Sequence, residues 1–280
     1  MAARAPAAGA TDIEEEGAIP ALGTPLRVWL VGRTQFLPPA EVGWYERDGQ
    51  RGQWTSDAAS PGEALIELAG RACYESWSKP NPKTAKNPDY IRHILDVGHL
   101  SVIEHAIATF YIVGATRALT HELVRHRHLS FSQRSTRYVD ESEANMIPPA
   151  IVAGNPEALK AFEDAASTAK VKYEEIRKAL QKDPAITAIE DRTARRKALR
   201  EAARSVLPNA TETRIVVTGN LRAWRHFIRM RATAFADPEI RALAVEILRQ
   251  LKQVYPATLQ DYEVVQENEV DVARSTLTWD

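Results

Sequence analysis

Apolar residues along this chain alternate between short runs that suit strands and longer stretches with helical spacing. Runs rich in β-branched and aromatic residues predict strands at 26–31, 107–113 and 213–218. The predicted helices cover 64–76, 87–98, 119–125, 155–182, 194–206, 221–231 and 237–254. Because strands and helices are mixed without regular βαβ alternation, the pattern predicts an α+β fold with a mixed sheet packed against several long helices.

Helix boundaries carry chemical signals of their own. Asn87, Asn155 and Asp237 each precede a proline, and such a pair is typical of the first turn of a helix. Asn220 stands where its side chain can cap the helix that follows the strand at 213–218. The segment 44–56 is polar and contains glycine, so it is predicted to be a loop.

Composition places the chain among ordinary soluble proteins, with 44% apolar and 26% charged residues and a formal net charge of -1. No apolar run approaches the length of a membrane span, so no membrane partner is expected. The N-terminal stretch is rich in alanine and acidic residues and has no hydrophobic core of a signal peptide. We therefore expect a disordered extension over 1–25, a single catalytic domain over 26–280 and a cytoplasmic location.

Residues 125–137, RHRHLSFSQRSTR, concentrate positive charge in a nearly neutral protein. The segment contains four arginines and two histidines among serine, threonine and glutamine, and it has no carboxylate. Guanidinium groups bind phosphate through paired donors, and the hydroxyl and amide groups add further donors. The segment is either a solvated basic loop or a binding site for a phosphate-bearing ligand. The further arginine clusters downstream favour the binding site.

A second arginine-rich segment is the predicted helix at 221–231. Helical spacing places Arg222, Arg225, His226 and Arg229 on one polar face, whereas Arg231 falls in the middle of the apolar face. From that position, Arg231 either extends its charge to solvent near the helix end or points into a closed pocket. In a pocket, its charge requires an anion or an electron-rich ring, which makes Arg231 a candidate catalytic electrophile.

Three other features admit structural interpretations. His121, Glu122 and His126 resemble a zinc motif, but a spacing of five residues separates the two imidazoles by about 140° on a helix, so no metal is expected. Ser101 with Glu104 is either a capping box or a polar turn that faces a ligand. Cys73, the one cysteine, is predicted to be a small buried hydrophobic residue.

The basic segment contains RHR followed, after seven residues, by serine, filled here by Arg125, His126, Arg127 and Ser135. This pattern resembles the signature of flavin-dependent thymidylate synthases, the ThyX family. Segments 71–85, 98–106 and 204–232 are similar to this family in the same order, and the resemblance covers roughly 26–265. One departure is Gln133, where other members carry glutamate.

The resemblance implies reductive methylation of dUMP to dTMP, with 5,10-methylenetetrahydrofolate as carbon donor and NADPH as the source of a hydride delivered through FAD. It also implies a homotetramer with active sites at the subunit interfaces. The residues expected to contact FAD are Ser101, Arg125, His126, Arg127, Gln133, Asn220, Leu221, Arg222 and His226, with His99 and Glu104 nearby. The residues expected to hold dUMP are Glu122, Leu123, Val124, Arg125, Gln133, Arg134, Ser135, Thr136, Arg137, Arg204 and Arg231.

The chemistry of the residues themselves agrees with a methylation of dUMP. Uracil C5 is a poor nucleophile until the ring gains electron density, and Arg231 beside the ring would stabilise its anionic form. Ser135 has no base near it in sequence and is assigned to binding. Arg204, in the last turn of its helix, is also explained by the helix dipole. Two other hypotheses are a flavoprotein acting on another pyrimidine nucleotide and a nucleic-acid-binding module, which the near-neutral charge disfavours.

Overall fold

A computed structural model describes residues 25–38 and 40–277 of the chain. Its strands are β1 Arg27–Arg33, β2 Trp44–Arg47, β3 Gln50–Gln53, β4 Ile107–Thr116, β5 Ser130–Gln133, β6 Glu212–Asn220, β7 Tyr262–Glu267 and β8 Val270–Ser275. Its α-helices are α1 Pro61–Ala72, α2 Asn87–Asp96, α3 Arg117–Leu123, α4 Ala150–Ala153, α5 Pro156–Leu180, α6 Pro184–Thr187, α7 Arg192–Ala203, α8 Leu221–Arg231 and α9 Pro238–Val254. The predicted disordered extension lies outside the described residues, apart from residue 25.

The strands form one four-stranded sheet and two separate hairpins. The order in the larger sheet is β1-β4-β6-β5, so all three predicted strands lie in this sheet. The hairpins pair β2 with β3 and β7 with β8 in antiparallel register. Together with the helices, these sheets confirm the prediction of an α+β fold.

The helix starts follow local capping chemistry. The side chains of Asn155, Asp237 and Asn220 each accept hydrogen bonds from backbone N–H groups in the first turn of α5, α9 and α8. At the start of α2 the proline is in place, but the cap position belongs to Lys86 and has no side-chain cap bond. The buried Asn87 amide instead donates to Glu63 O and Glu67 Oε2.

Contacts divide the chain into two compact units, each assembled from separated segments. As far as it is described, the first contains residues 25–29, Ile112–Val124 and Phe131–Val216. The second contains Leu30–Tyr111, Arg125–Ser130 and the described part of the chain from Val217 onward. Helix α5 contacts α7 in the first unit, and α8 contacts α9 in the second. A single catalytic domain over 26–280 stays a prediction.

Two sequence-based expectations are wrong. The segment 44–56 is not a plain loop, because most of it forms the β2–β3 hairpin, with Trp44 opposite Gln53 and a left-handed Asp48–Gly49 turn. Its strands are mostly exposed on both faces and lack the alternation that marks a strand in sequence. Cys73 is exposed rather than buried, because it follows the last residue of α1 and faces away from that unit's core.

No α-helix in the described part of the chain is both long enough and apolar enough to span a membrane.

Candidate active site

Helix α8 is held firmly in the second unit by its apolar face. Trp224, Phe227 and Ile228 are fully buried, as the sequence pattern predicts. The Trp224 ring meets Phe110 edge-on at 5.1 Å, and its indole Nε1–H donates to Ala108 O at 3.0 Å. Since Asn220 caps the first turn, both the start and the register of this helix are determined by side chains within the unit.

Arg225 does not lie on a solvated face, which corrects the sequence-based assignment. Its side chain is fully buried, and Nη1 and Nη2 donate to the two carboxylate oxygens of Asp261 at 2.7 and 2.8 Å. Burial by itself raises the pKa of Asp261, but the hydrogen bonds and charge of Arg225 outweigh it and lower that pKa. Arg225 therefore anchors α8, whereas Arg222, His226 and Arg229 are exposed as predicted.

A cavity of about 410 Å³ in the second unit is lined by residues of the basic segment and of α8. It is lined by Arg125, His126, Arg127, His128, Leu129, Ala223, His226, Met230 and Arg231. Three arginines and three histidines thus face one space, and no carboxylate lines it. Residues 125–129 of the basic segment therefore form a wall of this cavity, and the cavity has the charge that an anionic ligand requires.

His126 and Arg231 are in direct contact in this cavity. Arg231 Nε donates to His126 Nε2 at 3.0 Å, and both side chains are half-buried. Burial, followed by the charges of Arg231 and His226, lowers the pKa of His126 to about 4. The imidazole is therefore neutral at pH 7, and Arg231 brings the main positive charge to this point of the cavity.

A second cavity of about 400 Å³ surrounds the N-terminal turn of α8. Its lining residues are Leu100, Glu104, His128, Asn220, Arg222, Ala223 and His226. Arg222 Nη1 donates to Glu104 Oε1 at 2.6 Å, and the first backbone N–H groups of α8 add partial positive charge. His128, Ala223 and His226 line both cavities, so the two spaces adjoin in this unit.

Other residues expected near FAD lie on or beside these walls. His99 and Ser101 are exposed at the start of a 3₁₀ helix, Leu100–His105, and the Ser101 side chain makes no capping bond there. Because His99 and not Ser101 stands at the cap position of this 3₁₀ helix, the capping-box alternative is wrong. Leu221 is fully buried, so a contact from it to a ligand would come from its backbone.

The first unit contains the remaining predicted residues, around the end of β5. Gln133 Nε2 donates to Thr120 Oγ1 at 3.2 Å and to Thr213 Oγ1 at 3.3 Å. Arg204 donates to Thr136 Oγ1 at 2.9 Å, which brings two predicted dUMP residues together. Glu122 and Leu123 close α3, with Leu123 buried, and Val124 is exposed beyond it.

Ion pairs order the arginines of this unit. Arg134 Nη2 pairs with the buried Glu141 at 2.7 Å, and Arg137 Nε pairs with Glu201 at 2.8 Å. Arg134 Nε is buried and has no hydrogen-bond partner within the described residues. Ser135 Oγ accepts from the Arg137 N–H at 3.3 Å, which fits a binding residue better than a nucleophile.

Arg117 is a charged residue of this region that the sequence analysis missed. Burial lowers its pKa, and the neighbouring charges of Arg204 and Arg134 lower it further. Three guanidinium groups are thus close enough to influence one another, whereas Glu141 offsets part of their charge. No sequence signal separates Arg117 from other helix-start residues, because its neighbours in space are distant along the chain.

Among residues 25–38 and 40–277, no three histidine, cysteine, aspartate or glutamate side chains are grouped so that they could hold a metal ion.

The predicted site residues form two arginine-rich sets, one in each unit. Arg125 and Arg231 belong to the second unit, and Arg134 and Arg204 belong to the first.

Comparison with known proteins gives consistent matches over most of the chain. Residues 57–257 match the family model described as thymidylate synthase complementing protein. A protein of Mycolicibacterium vanbaalenii is 52% identical over 241 residues, covering 86% of this chain and 91% of its own length. One of Mycobacterium tuberculosis is 53% identical over 240 residues, with the same coverage. One of Mycobacteroides abscessus is 50% identical over 240 residues, also with that coverage, and all three are named flavin-dependent thymidylate synthase.

Proposed function

The chain belongs to the thymidylate synthase complementing protein family, and from this premise we propose that it is a flavin-dependent thymidylate synthase. It converts dUMP to dTMP, with 5,10-methylenetetrahydrofolate as the carbon donor and NADPH as the reductant. The main support for this proposal is the identity of about 50%, over 86% of the chain, to proteins with that name. The match to the family model, over residues 57–257, includes the whole basic segment and α8, which both contribute lining residues to the cationic cavity.

The donor set of the second unit fits FAD. A diphosphate needs cationic and N–H donors. Arg125 and Arg127 supply positive charge in the first cavity, and Arg222 lies beside the N-terminal turn of α8 in the adjoining one. His126 and the Asn220 side chain add uncharged polar groups along the same walls, and the His226 imidazole lines both cavities. When bound, FAD reduced by NADPH supplies the hydride that completes the new methyl group. The protein residues bind and orient the cofactor and exclude water from it.

The residues of the first unit suit a nucleotide monophosphate. Arg204 is oriented by Thr136, and Arg134, which pairs with Glu141, keeps part of its side chain exposed, so both guanidinium groups can bind a phosphate. Gln133 is already engaged by two threonine hydroxyls, so it presents an amide of set orientation in place of a carboxylate. We propose that these residues hold dUMP through its phosphate and sugar.

Arg231 is the proposed catalytic residue. A guanidinium beside N3 and the carbonyls of uracil stabilises negative charge in the ring, which makes C5 the nucleophile. We expect Arg231→Ala to fold and bind FAD but to lose at least about 100-fold in kcat, a loss typical of one removed electrostatic donor. Turnover close to that of the unmodified enzyme would contradict the electrophilic role.

Assembly and location complete the proposal. A homotetramer with active sites at the subunit interfaces is the arrangement that the resemblance implies, and the cytoplasm supplies its nucleotide and folate substrates. Neither nucleic acid nor membrane is a proposed partner.

A single assay tests the proposal as a whole. dTMP formation is measured with dUMP, FAD, NADPH and methylenetetrahydrofolate together, and then with each omitted in turn. We expect every omission to abolish the product, and the flavin absorbance to shift when dUMP is added. A flavin that responds only to another pyrimidine nucleotide would redirect the substrate assignment. A colourless protein that takes up no FAD would overturn the enzyme function.

A further inference from the structure

We propose that His126 is a positioning residue that orients the guanidinium of Arg231 toward the substrate. This inference rests on the proposed function, because it assigns a task to a contact beside the proposed catalytic arginine. Its basis is the hydrogen bond from Arg231 Nε to His126 Nε2, at 3.0 Å, between side chains 105 positions apart in sequence.

The chemistry of the two groups determines the direction of this hydrogen bond. A guanidinium stays protonated and has donors only, so the imidazole must accept through an unprotonated Nε2. The ring is then neutral and carries its proton on Nδ1. Burial and the charge of Arg231 lower the pKa of His126 to about 4, so the accepting form is present at neutral pH.

Neighbouring rings hold the imidazole in place. Its ring meets Phe227 edge to face, with centroids 5.0 Å apart and planes at 80°. On another side it meets His226 at 6.0 Å and 64°. Phe227 is fully buried in the core beneath α8, so the acceptor at Nε2 is tied to a rigid element.

A fixed acceptor at Nε orients the whole guanidinium. The group is planar, so a hydrogen bond at Nε restricts the plane in which Nη1 and Nη2 lie. A free arginine side chain has large rotamer entropy, and restricting it before the substrate binds lowers the cost of reaching the reactive arrangement. The imidazole can do this without adding a second charge.

Two amide variants form a matched pair for the test. His126→Gln places a carbonyl oxygen near the position of Nε2, whereas His126→Asn carries the same amide on a side chain one methylene shorter. We expect His126→Gln to retain a kcat at least about tenfold higher than that of His126→Asn, because only the longer side chain brings its amide oxygen to the position of Nε2. The dissociation constant of dUMP, measured by calorimetry, is expected to change less than kcat in both variants.

Additional measurements separate positioning from folding and cofactor loss. Thermal unfolding and flavin absorbance at saturating FAD are recorded for each variant, since His126 is also expected to contact FAD. In an Arg231→Lys background, which lacks Nε, the difference between the two amide variants is expected to vanish.

The outcomes distinguish the inference from the function on which it rests. An active enzyme in which both amide variants are equally impaired overturns the positioning role alone. So does an Arg231→Lys background in which the full difference between the amide variants persists. An unmodified protein that makes no dTMP overturns the proposed function, and this inference with it.

Discussion

At the scale of single residues, the cationic cavity combines a permanent charge with neutral polar partners. A guanidinium group is a permanent cation, whereas His126 is kept neutral by burial and by the charge of Arg231. A protonated imidazole in this position would repel the guanidinium and lose its ability to accept from Nε. The contact therefore ties the protonation state of one residue to the conformation of another.

This link predicts an effect of pH on stability. Unfolded His126 titrates near its ordinary pKa of 6.5, whereas the folded residue has a pKa of about 4. Between these values the unfolded state binds the extra proton, so the contribution of His126 to the unfolding free energy is present above pH 6.5 and lost as the pH falls toward 4. In urea titrations at equal protein concentration, His126→Gln should show a shallower fall over this window, and equal slopes would refute the prediction.

Cys73 gives a second prediction at this scale. The thiol is exposed, and its Sγ lies 3.4 Å from Ala69 O, within its own helical turn. With Arg231 as the electrophile, no covalent thiolate step is required. Cys73→Ala should therefore keep dTMP formation within about twofold, since surface substitutions of this kind have small effects. A folded but inactive variant would point to a thiolate mechanism instead.

At the scale of elements, α8 carries Arg222, His226 and Arg231 of the candidate site and is anchored through Arg225. The guanidinium is matched by both oxygens of Asp261, and Ser275 Oγ donates to the same carboxylate at 2.6 Å. Arg225 also donates to Thr258 O at 2.8 Å. These contacts join the helix to the segment before β7 and to the end of β8, so the C-terminal hairpin supports the site without lining its cavities.

Breaking this pair should be costly. Asp261→Asn leaves a buried guanidinium without its counter-charge, and we expect a loss of about 3–5 kcal/mol in the unfolding free energy. Asp96→Asn is the matched control, because it breaks an exposed i,i+4 pair with Arg92 in α2. That loss should stay below about 0.5 kcal/mol. Urea unfolding at equal protein concentration measures both, and similar losses would contradict the assigned role of burial.

Local chemistry explains which elements could be predicted from sequence. The caps at Asn155, Asn220 and Asp237 act over two or three residues, so helix starts were readable. The β2–β3 hairpin was missed because neither of its faces is buried enough to impose alternation. Arg225 was misplaced because helical periodicity cannot reveal a partner, Asp261, 36 positions away.

The candidate site shows the same division. The RHR segment and α8 were both recognised from their own residues, and the structure brings them to the walls of one cavity. The hydrogen bond between His126 and Arg231 could not be read from sequence, because it depends on how two distant segments pack. Arg117 was overlooked for the same reason.

At the scale of the whole molecule, the proposed assembly is directly measurable. One chain has a mass of 31.2 kDa, and light scattering after size exclusion should give about four times that mass if four copies form the closed assembly common among homo-oligomers. A particle with the mass of one chain, active in dTMP formation, would overturn the requirement for subunit interfaces.

Each unit consists of segments that are far apart in the sequence, and this affects how the protein folds during its synthesis. The first unit needs residues up to Val216, and the second joins Leu30–Tyr111 to the chain after Val217. During synthesis, the early strands and helices therefore leave the ribosome long before the later segments against which they pack. Their apolar surfaces stay exposed to solvent until those segments are made. Folding is also slow when the contacts that complete a unit join segments distant in sequence. Production at low temperature or with added chaperones should therefore raise the soluble yield.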